Sequence, residues 1–95
     1  MQMILEERRL TLLQTLHQVN ARRLNSRLLA GALAQLAVPG SVAEVEHDLK
    51  FLQDAQCVVL ESLGPFLIAE LLERGEQVAT GELRIAGVKR ASARG

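Results

Sequence analysis

Ninety-five residues with 48% apolar content make one domain of modest core, and that length excludes a second. Phe51 and Phe66 are the only aromatic residues, so the core is aliphatic and stacking on unpaired bases has almost nothing to work with. A formal net charge of zero hides an uneven spread: residues 1–29 carry five arginines against Glu6 and Glu7, residues 30–83 carry Lys50 and Arg74 against nine carboxylates, and residues 84–95 carry four cations and no acid.

No run reaches the roughly 18 apolar residues of a membrane span, so no membrane partner is expected. The single Cys57 cannot close an intramolecular disulfide, and the N-terminal stretch lacks the pattern of a secretion signal. The expected location is a reducing cytoplasm.

From Met3 to Val19 there is no Gly or Pro, and Leu5, Leu12, Leu16 and Val19 form one helical stripe, which predicts helix one. Leu10 and Leu13 widen its apolar face. Together with Leu29 and Leu33 further on, they read either as a broad core face or as a contact between two copies, and a homodimer is expected. Asn20 to Arg23 is a polar break with room for a short strand near Asn20.

Leu24, Leu28, Leu29, Ala32, Leu33 and Leu36 predict helix two over residues 24–37, with Asn25 or Ser26 as the alternative cap. Val38-Pro39-Gly40 ends it, with Gly40 suited to a left-handed turn. Helix three starts after Ser41, where Ser41 and Glu44 have the spacing of a capping box, and Val42, Val45, Leu49 and Leu52 supply its inner face. The period then changes to the β-branched run Cys57–Leu60 and, across a turn of Glu61 to Pro65, to the strand Phe66–Ala69. A fourth helix is predicted over residues 72–81, with Val78 and Ala79 inward.

These elements make a mainly α fold with a small β-hairpin, in the order α-α-α-β-β-α. That is a winged helix-turn-helix over residues 1–83, followed by a flexible basic tail over residues 84–95. Helix three of such a fold normally lies in a DNA groove.

The run Val45-Glu46-His47-Asp48-Leu49-Lys50-Phe51-Leu52 resembles a V-x-x-D-L-x-x-L third helix. Glu73-Arg74-Gly75 is similar to the T-E-R-G that follows the wing in many winged helices, with Leu72 where the Thr stands, and Gly87-Val88-Lys89-Arg90 resembles a G-V-K-R tail signature. Together they resemble small winged-helix proteins, distantly like the ArsR-type regulators, encoded by Mu-like phages and prophages. The resemblance implies the winged-helix fold, the cytoplasm of a bacterial host and, less directly, DNA binding.

His17, His47 and Cys57 fall on separate elements, so no metal site is expected, and no catalytic or phosphate-cradling motif is present. The expectation is a non-enzymatic protein without a cofactor or small-molecule substrate. Its leading reading is DNA binding, mainly through phosphates, in the manner of a transcriptional regulator. Arg22, Arg23 and Arg27 at the start of helix two and Lys89 and Arg90 in the tail carry it, with His47 and Lys50 on helix three in a lesser part. The alternative is a protein-interaction module in which Glu44, Glu46, Asp48 and Asp54 of helix three and Glu61 of the wing hold a basic protein and no DNA is bound.

Overall fold

The first helix is held by leucines on more than one side. In the computed structural model, which describes residues 2–91, α1 (Gln2–Gln18) buries Leu10, Leu12, Leu13 and Leu16. They pack against α2 (Ser26–Gln35), α3 (Val42–Asp54) and α4 (Glu73–Thr80), so one helix face meets three neighbours. Leu29 and Leu33 of α2 are also fully buried. All four leucines expected to face a second copy are therefore spent inside this chain, and the homodimer expectation loses the surface it rested on. Each fully buried leucine contributes about 1.5–3 kcal/mol, which gives a core without large aromatic rings its stability.

Helix two begins later than its apolar pattern suggests. Arg23–Asn25 form β1, and Arg22 enters it with a positive φ of 58°. The cap is Asn25, whose Oδ1 accepts from Leu28 N at 2.8 Å. Leu24 thus belongs to a strand, where it packs on the core beside Ala69. At the other end, Val38 N donates to Leu33 O and Ala37 N to Ala34 O, with Ala37 at φ 60°. The left-handed residue is Ala37, not Gly40. Gly40 is needed for another reason: a Cβ there would come within 2.7 Å of Arg8 Cδ.

The capping box of α3 is formed as expected. Glu44 N donates to Ser41 Oγ at 3.1 Å and Ser41 N to Glu44 Oε1 at 2.9 Å. The Ser41 amide, and after it the charge of Arg8, hold the Glu44 carboxyl below its usual range. The helix closes as α2 does, with Gln56 at φ 64° and Cys57 N donating to Leu52 O. Burial raises the Cys57 thiol above its usual pKa, so it packs as a small hydrophobe.

The hairpin strands β2 (Val58–Leu63) and β3 (Phe66–Leu71) run longer than their apolar runs, pairing antiparallel from Val58↔Leu71 to Leu63↔Phe66. Only Gly64, at φ 60°, and Pro65 remain in the turn. β1 adds to the far side of β3, with Arg23 opposite Glu70, giving the sheet order β1-β3-β2. The chain is thus four helices and one three-stranded antiparallel sheet, in the order α-β-α-α-β-β-α.

The start of α4 lacks a side-chain cap, because Leu72 occupies the N-cap and offers no acceptor. Leu72→Thr is expected to stabilise the fold by about 0.5–2 kcal/mol, since a threonine hydroxyl can accept from one of the orphan amides. Urea denaturation followed by far-ultraviolet circular dichroism measures it, and an unchanged midpoint contradicts it.

After α4 the chain does not become loose at Arg84. Leu83 and Ile85 pack against the core and Val88 and Ala91 are buried, while Lys89 N donates to Glu6 O at 3.1 Å. Residues 84–91 therefore form a hook laid on the start of α1, a correction to the expected flexible tail. Its apolar residues are few but spaced to reach one groove. Residues 92–95 of that tail lie outside the described residues.

Candidate functional site

Helix three sorts its polar residues into three groups. Asp48 is fully buried and forms ion pairs with Arg8 and, at 3.0 Å between Oδ1 and Nε, with Arg9. Glu46 accepts from Ser26 Oγ at 2.9 Å, and Gln53 Oε1 accepts from Leu60 N at 2.8 Å, so this flank is tied to α2 and β2. Phe51 lies on the opposite flank, with the Arg9 guanidinium 3.8 Å from its ring centre and Gly87 against its edge. The face left to solvent is Ala43, Glu44, His47, Lys50 and Asp54.

This corrects the acidic reading of the helix. Of its four carboxylates, Asp48 belongs to the core and Glu46 is partly buried and hydrogen-bonded, which leaves Glu44 and Asp54 beside Lys50 and His47. Neither Asp48 nor Glu46 is free to hold a basic partner. Glu61, from the hairpin, is paired with Arg23 at 3.2 Å.

The expected cationic cluster divides too. Arg22 lies in the turn before β1 and pairs with Glu76 at 2.9 Å, beside His17, whose Nδ1 is 3.5 Å from the same carboxylate. Arg23 lies on β1, so neither stands at the start of a helix, although exposed pairs of this kind hold their partners by about 0–1 kcal/mol only. Arg27 alone is in the first turn of α2, its guanidinium 5.8 Å from the centre of the Phe66 ring at the foot of the hairpin. Among the described residues, Arg27, Lys50, Arg84, Lys89 and Arg90 have no ion-pair partner.

Sequence reasoning passed over Arg8, Arg9 and the structural part of the tail signature. A signal existed: Arg8 falls three residues after Leu5 and four before Leu12, on the inward stripe, where a charge must be paired. Gly87 has φ 86°, its carbonyl accepts from Arg9 Nη1 at 3.0 Å, and a Cβ there would be 2.5 Å from Phe51 Cζ. Val88 is the buried anchor. Lys89 and Arg90 then stand exposed on a held backbone next to α3.

A protein described as uncharacterized protein gp26, from Escherichia phage Mu, is 35% identical to this chain over 85 residues, covering 90% of the chain and 88% of the phage protein. The chain belongs to the gp26 family of phage Mu. No family model and no solved structure matches it. The Mu-like phage origin implied by the tail and helix-three motifs thus agrees with this relative, whose printed description assigns no activity.

In this gp26 relative no helix of the described residues is long and apolar enough to cross a membrane. Among those residues, no group of three His, Cys, Asp or Glu side chains is placed to hold a metal ion. What the site can do chemically is present cations: Lys50 and His47 on α3, Arg27 beyond one flank, and Lys89 and Arg90 beyond the other.

Proposed function

We propose that this member of the gp26 family is a winged-helix protein that binds duplex DNA in the host cytoplasm, mainly through phosphates, as a small non-enzymatic regulator of transcription. The fold reading is supported by the order α1-β1-α2-α3-β2-β3 with strands arranged β1-β3-β2, which puts a helix-turn-helix pair beside a hairpin wing. The observation that carries the DNA reading is the bracketing of the exposed α3 face by cations on both flanks. Arg27 stands on the side where Ser26 and Leu60 are tied to α3, and Lys89 and Arg90 on the side where Gly87 meets Phe51. A helix in the major groove has a phosphate backbone on each side of it, so this spacing of charges suits the duplex. Loss of Asp48 and Glu46 from the surface removes two of the carboxylates that would repel those phosphates.

The test is titration of a labelled duplex at several salt concentrations. Contacts from Arg27, Lys50, Lys89 and Arg90 predict a slope of log affinity against log salt of about −3 to −4, at roughly −0.9 per phosphate. Affinity should differ little between chosen and random duplexes, since α3 offers only His47 and Lys50 to base edges. No binding at about 10 mM salt, where the Debye length is about 30 Å, rejects the proposal. Capture of a basic protein, abolished by Glu44→Lys with Asp54→Lys, would then favour the interaction reading. With no Trp or Tyr in the chain, nucleic acid that co-purifies is conspicuous in the ultraviolet spectrum.

A further inference from the structure

Between the start of α1 and the hook lies a cleft of about 440 Å³, lined by Arg84, Lys89 and Arg90 and by one carboxylate, Glu6. We propose that this cleft is a seat for a phosphate group and, resting on the DNA reading above, that its occupant is a phosphodiester of the duplex backbone beside α3.

Three features point to an oxyanion. The first is charge: three cations face one acid, and none of the three is neutralised by a neighbouring carboxylate among the described residues. Arg8, Arg9, Arg22 and Arg23, by contrast, each have a carboxylate partner. The second is order. The hook is pinned by Lys89 N to Glu6 O, by Arg9 Nη1 to Gly87 O and by the burial of Val88, so the backbone carrying the cations is set before a ligand arrives. A site held in advance loses less entropy on binding than a free tail does. The third is side-chain chemistry, because two guanidinium groups can each grip a phosphate with two parallel hydrogen bonds. The place also fits: Gly87 touches Phe51, the neighbour of Lys50, so the seat adjoins the exposed face of α3.

The experiment uses the full chain and two ligands, a labelled duplex and inorganic phosphate, read by binding isotherms and by amide chemical shifts of residues 84–90. Arg84→Gln with Arg90→Gln keeps the pinning contacts, which come from backbone groups and Val88, so the fold is retained. That variant should make the duplex salt slope shallower by about 2, at roughly 0.9 per lost contact. Glu6→Gln removes the opposing acid and should tighten the duplex about two- to fivefold, the range of an exposed charge interaction. Duplex binding with an unchanged slope in the double variant overturns the seat and leaves the DNA reading standing. Inorganic phosphate that shifts residues 84–90 in the wild type only, without duplex binding, supports the seat with a soluble occupant and overturns the DNA reading. If neither ligand binds, both fall.

Discussion

Asp48→Ala is expected to cost about 3–5 kcal/mol, because it leaves the Arg8 and Arg9 guanidinium groups in the interior without a counter-charge. Asp48 is 0% exposed and the two arginine side chains only 7% and 8%. Removing the carboxylate strands two cations where water cannot reach them easily, and each also loses its hydrogen bond to it. For a domain of this length, each kcal/mol moves the melting temperature by roughly 4–8 °C, so a fall of about 15 °C or more follows. Replacing all three residues by leucine should recover much of the loss, since burying two charges against one carries its own desolvation cost. The recovery should be incomplete at the hook, because Arg9 also donates to the Gly87 carbonyl and stacks on Phe51. Thermal and urea unfolding followed by circular dichroism read both variants, and a loss under about 1 kcal/mol for Asp48→Ala would falsify this account of the network.

The second large effect lies in α4. Helix propensity favours Gly75→Ala by about 1 kcal/mol, as at any helix interior. Packing opposes it. A Cβ at Gly75 would overlap the Cys57 carbonyl oxygen and lie 2.8 Å from Leu71 Cδ1, and the carbonyl is also the acceptor for Leu72 N. Since that carbonyl begins β2 and cannot turn aside like a side chain, α4 must move off the sheet. The clash should outweigh the propensity gain and destabilise the protein by about 1–3 kcal/mol. Gly31→Ala on α2 is the matched control: nothing lies within 4 Å of its would-be Cβ, so there the propensity gain of about 1 kcal/mol should appear alone. Urea midpoints that move in the same direction for both variants would contradict the packing argument.

Legibility in the sequence followed the range of the interactions. Helix three and its capping box depend on residues three and four apart, so Ser41, Glu44 and the Val45–Leu52 stripe could be read directly. The hairpin was legible for a similar reason, although its strands extend past the apolar residues because β3 supplies partners to Glu61 and Ser62. β1 was not, since three residues make no pattern of their own and become a strand only because one edge of β3 is open to them. Asp48 reads as surface on composition alone. Its counter-charges lie about 40 residues away in sequence, at Arg8 and Arg9. The G-V-K-R segment looked like a tail because its apolar residues are sparse, and only the groove beside α1 gives Val88 somewhere to go. The candidate cations show the same limit: periodicity finds Arg27 on a helix, but whether Arg22 and Arg23 are already held by Glu76 and Glu61 is a matter of tertiary placement.

The Gln53 side chain has a consequence for how copies of this protein coexist at high concentration. With the order β1-β3-β2, strand β2 is an outer strand of the sheet, and Val59 and Leu63 on it are 45% and 59% exposed. Such a strand offers unpaired amides to any extended segment that passes, the usual start of edge-to-edge aggregation. Gln53 Oε1 already occupies the amide of Leu60, in the middle of that edge. Growth of the sheet into a neighbouring molecule would first have to displace a side chain anchored on α3, so the glutamine acts as a stopper against runaway strand addition.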